Sequence, residues 1–482
     1  MNLLDAIADA NLFAPWFKRG DWDAWRACIA AAFALDMTPE QLSVYEQCTG
    51  RTSPPTKPAE EVWLVCGRRA GKSFILALIA VYLAAFKTYP TLAPGERATV
   101  AVLACDRKQA RVIVRYVRAL LTRVPMLAAM IEREGAEAFD LSNSTTIEVG
   151  TASFRSTRGY TFAAVLCDEI AFWPTDDCAE PDREILDAVR PGMATIPGAM
   201  LLCASSPYAR RGALWDAHRK HFGKDGPALV WQAPTRTMNP TVPQHIVDAA
   251  VERDPTSAAA EYLARFRTDV EALLTREAVE ACLDSSVFER PPMSDTSYIA
   301  FVDPSGGSSD SMTLAIAHRE GNAAIIDAIR ERRPPFSPEA VVNEFADLLR
   351  SYRISRVHGD RYAGEWPREQ FRKRNIEYLL SSRTKSELYL SLVPAINARL
   401  IALPDLPRLS AQLVGLDRRT SRAGRDSIDH APGSHDDIAN AVAGVVFLVL
   451  TRPRFVDSMT VGPFAPVMVF VGERGPEFVA DR

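Results

Sequence analysis

The sequence predicts an α/β protein with two domains: a doubly wound, mainly parallel sheet comes first and a mixed sheet follows. Three observations lead to this prediction. The chain has 482 residues, which is more than a single hydrophobic core usually serves. Between residues 62 and 206, short apolar runs alternate with helical segments, as they do in parallel sheets with helical crossovers. Near residue 295 the pattern changes to three successive strand candidates with short turns, which is typical of an antiparallel meander.

The composition is that of an ordinary globular protein. Hydrophobic residues make up 47% of the chain, charged residues make up 24%, and the formal net charge is −4. This balance argues against a protein coated in positive charge, although a local basic groove can lie on a neutral chain. The two longest apolar stretches, 74–86 and 438–450, are too short to span a bilayer. With no signal-peptide pattern and scattered cysteines, the sequence predicts a cytoplasmic protein with reduced thiols.

The N-terminal domain is predicted to occupy residues 1–240. Residues 1–60 look helical and then loop-like. A buried strand at 62–66 then leads into a glycine-rich turn and a long apolar helix that starts near Lys72. Four further strands are predicted at 98–104, 145–151, 162–169 and 199–206.

The rest of the chain is predicted to form a connector, a second domain and a tail. Proline-rich sequence precedes a mostly helical connector at 241–294, and the second domain follows at 295–452. The tail, 453–482, has little helical pattern and no basic run. The elements predicted in the second domain are strands at 298–303, 312–320 and 322–329, a helix at 337–351 and a strand at 354–360.

The glycine-rich turn is similar to a phosphate-binding loop, or Walker A motif. The usual pattern is G-x-x-x-x-G-K-[ST], whereas Gly67 lies one position too close to Gly71, and Cys66 stands in place of the first glycine. A buried strand precedes the turn and a helix follows it, so backbone N–H groups can face the phosphates. Lys72 can reach the terminal phosphates and Ser73 can ligate Mg²⁺. The predicted ATP-binding residues of this loop are Gly67, Arg68, Arg69, Gly71, Lys72 and Ser73.

A pair of acidic residues, Asp168 and Glu169, ends the strand at 162–169 and has the form of a Walker B motif. The carboxyl end of a strand is where open α/β sheets bind ligands. Asp168 would hold Mg²⁺ through water, and Glu169 would orient and activate the attacking water. The pair therefore indicates ATP hydrolysis as well as ATP binding.

Two further pairs in this domain are candidates for a role in hydrolysis. Ser205 and Ser206 end the strand at 199–206, where hydroxyl groups can sense the γ-phosphate and couple hydrolysis to motion. Arg155 and Arg158 precede the acidic strand, and either can be an arginine finger that stabilises transferred phosphoryl charge. A solvated surface arginine explains each of the two equally well.

The second domain places acidic residues at three ends of elements. Asp303 and Asp360 each end a strand, and Asp436 and Asp437 start an apolar helix. Carboxylates that converge on one point repel each other unless cations neutralise them, so such a cluster indicates bound metal. Two Mg²⁺ or Mn²⁺ ions would clamp the attacking and leaving oxygens of a phosphodiester.

The order of these elements is more specific than any single aspartate. A strand that ends in aspartate, a meander, a helix, a second such strand and a helix with two aspartates follow one another, which is the layout of the RNase H-like nuclease fold. His435 can be a further ligand or a proton shuttle. Asp310, Asp327 and Asp429 are predicted to be surface or turn residues.

Both halves together resemble the large terminase subunit of tailed bacteriophages, the DNA-packaging motor, over roughly residues 30–450. The phosphate loops of that family are commonly arginine-rich and shortened, like GRRAGKS here. The resemblance implies a P-loop ATPase of the additional-strand type joined to an RNase H-like nuclease. It also implies a glutamine that contacts adenine upstream of the loop; of Gln41 and Gln47 we prefer Gln41, which follows Thr38 and Pro39.

The resemblance also implies roles for the candidate residues. ATP with Mg²⁺ would bind at Lys72, Ser73 and Asp168, and two divalent metals would bind in the nuclease. The implied catalytic carboxylate of the ATPase is Glu169, the implied coupling motif is Ser205 and Ser206, and the implied nuclease metal ligands are Asp303, Asp360, Asp436 and Asp437.

These inferences predict an ATP-driven translocase of double-stranded DNA that also cuts concatemeric DNA into packaging units. Contacts to the duplex would be mainly to phosphates, because a motor must slide over any sequence. The resemblance implies a pentameric ring on the portal protein of the procapsid in the host cytoplasm, with a small terminase subunit that chooses the start site. Two alternatives stay open: a cellular ATP-dependent helicase-nuclease of DNA repair, and a nucleotide-switched assembly protein without nuclease activity.

Overall fold

The computed structural model describes residues 1–18, 22–152, 159–173, 181–308, 310–360, 366–420, 426–431 and 434–452. The described residues form an eight-stranded, a seven-stranded and a three-stranded sheet, with helices packed against them. The predicted α/β class is therefore confirmed.

The elements of the described residues follow the predicted alternation. The helices are α1 (Leu3–Ala8), α2 (Asp23–Ala32), α3 (Pro39–Thr49), α4 (Lys72–Phe86), α5 (Arg107–Thr122), α6 (Pro125–Ala128), α7 (Pro181–Met193), α8 (Gly212–His221), α9 (Thr235–Met238), α10 (Gln244–Arg253), α11 (Pro255–Glu261), α12 (Arg276–Glu280), α13 (Pro338–Ser351), α14 (Trp366–Arg372), α15 (Lys385–Asn397), α16 (Pro407–Val414) and α17 (Asp437–Thr451). The strands are β1 (Glu61–Cys66), β2 (Ala98–Ala104), β3 (Ile131–Glu134), β4 (Ala138–Leu141), β5 (Thr145–Thr151), β6 (Thr161–Asp168), β7 (Met200–Ser205), β8 (Ala228–Ala233), β9 (Val270–Ala272), β10 (Leu283–Asp284), β11 (Tyr298–Asp303), β12 (Met312–Glu320), β13 (Ala323–Arg332), β14 (Arg356–Gly359), β15 (Glu377–Leu380), β16 (Ile401–Pro404), β17 (Leu416–Thr420) and β18 (Asp426–His430).

The first sheet has the strand order β3-β4-β5-β2-β6-β7-β1-β8. In this order across the sheet, the six strands β5-β2-β6-β7-β1-β8 are all parallel to their neighbours, whereas β3 and β4 form an antiparallel edge. Val62 and Leu64 enter the core on one face of the sheet, and Trp63 and Val65 enter the core on the other. Because both faces are covered, these strands are continuous apolar runs, which is why the sequence reveals them. The edge strand β3 was not predicted because its residues are mostly exposed.

The second sheet has the strand order β10-β16-β13-β12-β11-β14-β15. Strands β11, β12 and β13 form the predicted antiparallel meander, and β14 lies parallel to β11. Helix α17 packs closely on this sheet, since a Cβ atom on Gly444 would lie 2.4 Å from the ring of Phe301. Glycine at this position therefore sets how near the helix lies to β11.

The connector is less helical than predicted. Helices α10 and α11 occupy its first half, but β9 pairs with β17 and β10 pairs with β16. The three-stranded sheet β18-β17-β9 was not predicted at all. Strands β9 and β10, with three and two residues, are too short to show a period of two in the sequence.

The prediction that Asp327 is a surface or turn residue is wrong. The residue lies in β13 and is fully buried, and its Oδ2 atom lies 2.8 Å from Nδ1 of His318 on β12. A buried carboxylate needs such a partner, which the sequence does not display because it lies on another strand. Asp310 is exposed, as predicted, and Asp429 is partly exposed on β18.

The described residues can be compared with two predictions, one about membrane spans and one about the cysteines. No helix among them has the length and apolar character that a membrane span requires. Their cysteines are free thiols, and all except Cys105 are buried.

Candidate functional site

The phosphate loop joins β1 to α4 in a tight turn. Gly71 is the N-cap of α4 with a φ of 97°, and Arg69 has a φ of 62°, so two residues of this short turn are left-handed. Lys72 is 4% exposed, and its Nζ donates to the carbonyl oxygens of Cys66 at 3.2 Å and Gly67 at 3.3 Å. The loop thus holds a buried cation at a helix N-terminus, where anions bind.

Gly67 is required by a close approach of chain segments. A Cβ atom at this position would lie 2.2 Å from Oγ1 of Thr235 and 2.9 Å from the carbonyl oxygen of Tyr262. Thr235 also donates from Oγ1 to the carbonyl oxygen of Arg68 at 2.8 Å. The shortened spacing of the motif therefore places its first glycine against α9 and the end of α11.

The two arginines of the loop have different surroundings. Arg68 pairs with Glu261 of α11 at 3.0 Å, and the Arg68 side chain is 62% exposed. The carbonyl oxygen of Arg69 accepts a hydrogen bond from Nδ2 of Asn239 at 2.7 Å. The connector therefore contacts the loop directly, and Arg68 is turned toward it.

Asp168 and Glu169 lie at the carboxyl end of β6, beside the loop. Ser73 donates from Oγ to Oδ2 of Asp168 at 2.8 Å, and Oε1 of Glu169 lies 3.2 Å from Nζ of Lys72. Glu169 has a φ of 52°, a conformation that is uncommon outside glycine and recurs at functional sites. The structure therefore brings the predicted lysine, serine and acidic pair together.

Asp168 fits a divalent cation. Burial, together with the adjacent charge of Glu169, raises the pKa of Asp168 to about 7. Its Oδ1 atom is buried and has no hydrogen-bond partner in the part of the chain that the structure describes. Mg²⁺ prefers carboxylate and hydroxyl oxygens, so Asp168 and Ser73 are suitable ligands for it, directly or through water.

Ser205 and Ser206 hold the second oxygen of Glu169. Ser205 donates from Oγ to Oε2 of Glu169 at 3.1 Å, and the Ser206 N–H donates to the same oxygen at 3.2 Å. The N–H of Ala171 donates to Oγ of Ser205 at 3.3 Å. Glu169 is thus fixed by Lys72 on one oxygen and by the two serines on the other.

A cavity of about 500 Å³ opens beside Ala70 and Gly71 of the loop, with Trp16 and Trp22 in its wall. Trp25 supports this wall, since its Nε1 donates to the carbonyl oxygen of Ala70 at 2.8 Å. The cavity is large enough for a nucleoside.

The remaining candidates of the first domain are Gln41, Arg155 and Arg158. Oε1 of Gln41 accepts a hydrogen bond from the N–H of Thr38 at 3.1 Å, which forms the capping box of α3. Its contact with adenine stays a prediction. Arg155 and Arg158 lie outside the described residues.

A second group of acidic residues lies at one edge of the second sheet. Asp303 ends β11 and Asp360 follows the parallel neighbour β14, so both lie at the same edge. Asp437 begins α17, which packs on β11 and β12. The N–H of Ser311 donates to Oδ2 of Asp437 at 3.2 Å, and Oγ1 of Thr313 donates to the carbonyl oxygen of Asp437 at 2.7 Å. These bonds fix the start of the helix to β12.

The charges of these carboxylates act on one another. Burial raises the pKa of Asp303 well above its ordinary value; a hydrogen bond from Asn440 opposes this rise, while the charges of Asp437 and Asp360 add to it. Burial also raises the pKa of Asp437, and the charge of Asp436 adds to the rise. Joint ionisation is therefore unfavourable without cations, and the carboxylate donor set fits Mg²⁺ or Mn²⁺.

Asp436 differs from its neighbour Asp437. Nζ of Lys385 lies 2.9 Å from Oδ1 and 2.8 Å from Oδ2 of Asp436, and Tyr389 donates from Oη to Oδ2 at 2.9 Å. Burial lowers the pKa of Lys385, but the charge and hydrogen bond of Asp436, together with the charges of Asp429 and Asp303, outweigh this and the pKa is raised. Side chains of α15 therefore neutralise Asp436, while Asp437 acts on Asp303.

A hairpin of the three-stranded sheet adds two residues near Asp436. The ligand atoms of Asp429, His430 and Asp436 all lie within 4.8 Å of one another. His435 lies nearby, with its ring centroid 6.5 Å from that of His430. The proximity of β18 to the start of α17 was not predicted, because β18 had not been recognised as a strand.

The two domains meet next to Ser205 and Ser206. Tyr208 donates from Oη to Oδ2 of the fully buried Asp417 on β17 at 2.9 Å. Nη2 of Arg211 lies 2.9 Å from Oδ1 of Asp417 and forms an ion pair with it. Nη2 of Arg419 donates to the carbonyl oxygen of His430 at 3.3 Å. Strands β17 and β18 thus link the serine motif to the second acidic group.

Sequence reasoning missed Lys385, Tyr389 and Asn440. The first two lie on α15, and nothing in their own segment indicates that α15 packs beside α17. Asn440 carried a usable signal: a polar residue inside an apolar helix, three positions after Asp437, shares its face.

Several solved structures of phage large terminases resemble this chain. The HK97 bacteriophage large terminase has 16% sequence identity and a TM-score of 0.38, over 86% of this chain and 95% of that chain. A large terminase from a thermophilic bacteriophage, in complex with ATP-gamma-S, has 9% identity and a TM-score of 0.37, over 88% and 98%. The large terminase nuclease from thermophilic phage G20c with bound magnesium has 15% identity and a TM-score of 0.32, over 36% and 96%.

No protein-family model and no curated protein matches the chain. With TM-scores at or below 0.38, the roles of individual residues rest on the geometry described above. That geometry combines two centres. The first has a glycine-rich loop with a fixed glutamate, Glu169. The second is a group of carboxylates that includes Asp303, 134 positions later in the sequence.

Proposed function

We propose that this chain is a terminase large subunit, an ATP-driven translocase of double-stranded DNA that is also a metal-dependent endonuclease. One observation carries the proposal: a centre suited to ATP hydrolysis and a centre of converging carboxylates occur in one chain and are joined through Tyr208 and Asp417. A motor that packages and cuts DNA needs both activities. A nucleotide switch without a nuclease would not need the second centre.

In the first centre, Lys72 binds and neutralises the terminal phosphates of ATP. Glu169 orients the attacking water and accepts its proton, and the serines at 205 and 206 keep its carboxylate in place. Ser73 and Asp168 hold Mg²⁺, which supplies charge neutralisation at the phosphates. The wall of Trp16 and Trp22 beside the loop receives the nucleoside.

In the second centre, Asp303, Asp360 and Asp437 hold two divalent metals. Those metals would supply Lewis-acid stabilisation of the phosphodiester oxygens. Asn440 orients the carboxylate of Asp303, and Lys385 and Tyr389 fix the carboxylate of Asp436 beside it.

The proposed partners are those that the resemblance to terminase large subunits implies. The substrate is double-stranded DNA, and a small terminase subunit selects the start site. A homo-pentameric ring of this chain docks on the portal protein of the procapsid in the host cytoplasm. Each of these partners is part of the proposal and is expected only if the chain has both activities.

The ATPase is tested with Glu169→Gln and Lys72→Ala. Glu169→Gln should lower ATP turnover by at least roughly 100-fold while nucleotide still binds, because only the group that activates water is removed. Lys72→Ala should also lose nucleotide binding, measured with a fluorescent ATP analogue. Turnover that survives Glu169→Gln would contradict the assigned role. Stimulation of ATP turnover by linear duplex DNA, without strand separation on a forked substrate, separates a translocase from a helicase.

The nuclease is tested by cleavage of a circular plasmid with Mg²⁺ or Mn²⁺. The wild-type chain should cut, Asp303→Ala should not, and Asp347→Ala, which removes an exposed aspartate of α13, should cut normally. Equal cutting by wild type and Asp303→Ala would mean that the centre is elsewhere. No cutting by the wild type under either metal would leave the ATPase standing and remove the nuclease from the proposal.

A further inference from the structure

Helix α5 carries a one-sided array of positive charge. Its sixteen residues include five basic and no acidic residues, although acidic residues outnumber basic ones in the whole chain, 60 to 56. At about 100° per residue, the five basic positions fall within an arc of about 100°. The basic positions are Arg107, Lys108, Arg111, Arg115 and Arg118.

Four of these cations face solvent and lack partners. Arg107, Lys108, Arg111 and Arg115 are exposed, and within the described ranges none of them forms an ion pair or a side-chain hydrogen bond. Arg118 is different, because it pairs with Glu134 at 2.6 Å. Because the four unpaired cations on this face repel one another, binding of a polyanion that covers them is favourable.

The opposite face of α5 is committed to the core. Ala110, Ile113, Val114, Val117 and Leu120 are buried there against the first sheet and α4. The helix therefore cannot turn its apolar side into a lipid surface, which excludes the usual mode of a basic amphipathic helix. Only its charged side is free for a partner.

The geometry of the array fits the phosphate backbone of a duplex. Positions 107, 111 and 115 rise by about 6 Å per step along the helix, so the exposed array spans about 12 Å. Double-stranded DNA offers one negative charge per about 1.7 Å of its axis, so several phosphates lie within that span. Arginine and lysine side chains reach such phosphates without reading the bases.

Helix α5 is also attached to the hydrolysis centre. It begins three residues after β2. Burial and the charge of Asp106 raise the pKa of Cys105 at that junction, and the nearby charges of Asp168 and Glu169 add to the rise. Tyr116 on α5 packs edge-on against Phe74, with ring centroids 5.5 Å apart, and Phe74 directly follows Ser73. The first turn of α4, which carries Lys72 and Ser73, therefore packs directly against α5.

We infer that the exposed face of α5, formed by Arg107, Lys108, Arg111 and Arg115, binds the phosphate backbone of the DNA duplex during translocation. The inference rests on the proposed function, because it assigns the surface for the duplex that the proposed motor moves. It places the DNA contact one helix away from the site of ATP hydrolysis.

The test compares two fourfold neutralised variants of the full chain. The first is Arg107→Gln with Lys108→Gln, Arg111→Gln and Arg115→Gln. The matched control neutralises four exposed cations elsewhere, Lys57→Gln with Arg219→Gln, Lys220→Gln and Lys224→Gln. Binding of a fluorescein-labelled duplex of about 30 base pairs is followed by anisotropy between about 50 and 200 mM salt, the range over which phosphate contacts are strongly weakened.

The first variant should bind the duplex at least about tenfold more weakly at the low-salt end, and the slope of log K against log salt should flatten by about three to four. The control should bind nearly as the wild type does. Basal ATP turnover without DNA should be unchanged in both variants, which shows that they are folded.

Four results would overturn the inference. Equal weakening of both variants would reduce the effect to net charge, and undiminished binding by the first variant would place the duplex elsewhere while the proposed function stands. Polyglutamate that displaced the duplex at equal charge concentration would reassign the face to an acidic protein. Wild-type protein that bound no duplex at any salt would remove the proposed translocase as well.

Discussion

Glu169 shows how single residues prepare this site. Its backbone adopts a left-handed conformation, and its two oxygens face different partners, Lys72 on one side and the Ser205 and Ser206 donors on the other. An orientation that three groups determine reduces the reorganisation needed when water is activated. Each of these contacts can be removed separately.

Ser205→Ala should lower kcat for ATP hydrolysis roughly tenfold with little change in KM, because a hydrogen bond to a charged group contributes about 1.5 kcal/mol. Steady-state kinetics with saturating Mg²⁺ measures this. Ser205→Thr keeps the hydroxyl group and should retain most of the activity. A rise in KM at constant kcat would show instead that Ser205 serves substrate binding.

Lys385→Met should destabilise the second domain by about 1–3 kcal/mol, since it leaves the buried carboxylate of Asp436 without its cation; one-third exposure of Lys385 keeps the loss below that of a fully buried pair. Thermal unfolding in EDTA measures the change. Lys373→Met removes a cation from an exposed pair at the end of α14 and should change stability by less than about 0.5 kcal/mol. Equal effects of the two substitutions would contradict the assigned contact.

Among the elements, α17 fits closely against its sheet. Its first residue, Asp437, must lie near Asp303 at the end of β11, and Gly444 allows the approach by leaving room for Phe301. The distance between helix and strand therefore also determines the spacing of the carboxylates. A change seven residues away from Asp437 can alter the acidic centre.

Gly444→Ala should destabilise the second domain by about 1–3 kcal/mol and weaken plasmid cleavage, because the added methyl group meets the Phe301 ring and pushes α17 outward. Unfolding and cleavage are measured on the same preparation. Gly150→Ala is the control, since a Cβ atom there has no neighbour within 4 Å. Phe301→Leu combined with Gly444→Ala should restore part of the loss; no restoration would contradict the steric cause.

At the scale of the whole molecule, the sequence predicted what depends on local pattern. The strands β2, β5 and β12 have the predicted bounds, and the acidic residues at strand ends lie where predicted. Both could be predicted because a buried strand appears in the sequence as an apolar run with recognisable ends. Contacts between distant segments were not predictable. Lys385 meets Asp436 across 51 positions and Tyr208 meets Asp417 across 209, and neither segment carries a pattern that names the other.

The junction of the two domains can be tested by a double-mutant cycle. Tyr208→Phe and Asp417→Asn should each weaken domain docking, and together they should show a coupling energy of roughly 1–2 kcal/mol, because the hydroxyl donates to a buried carboxylate. Protection of β17 and β18 amides from hydrogen exchange measures docking. Tyr160→Phe removes a tyrosine–carboxylate bond within the first sheet and should leave that protection unchanged. A coupling energy near zero would contradict a direct link.

The short strands β9 and β10 have a consequence for how such chains exchange parts. They lie before residue 295 yet pair with β17 and β16, so the second half of the fold begins inside the connector. A recombination event could import a foreign segment that starts at Tyr298, the first residue of β11. The imported fold would then lack β9 and β10 and would expose the strands that pair with them. Viable crossovers should therefore fall before Val270, and hybrid genes broken between residues 270 and 298 should be selected against.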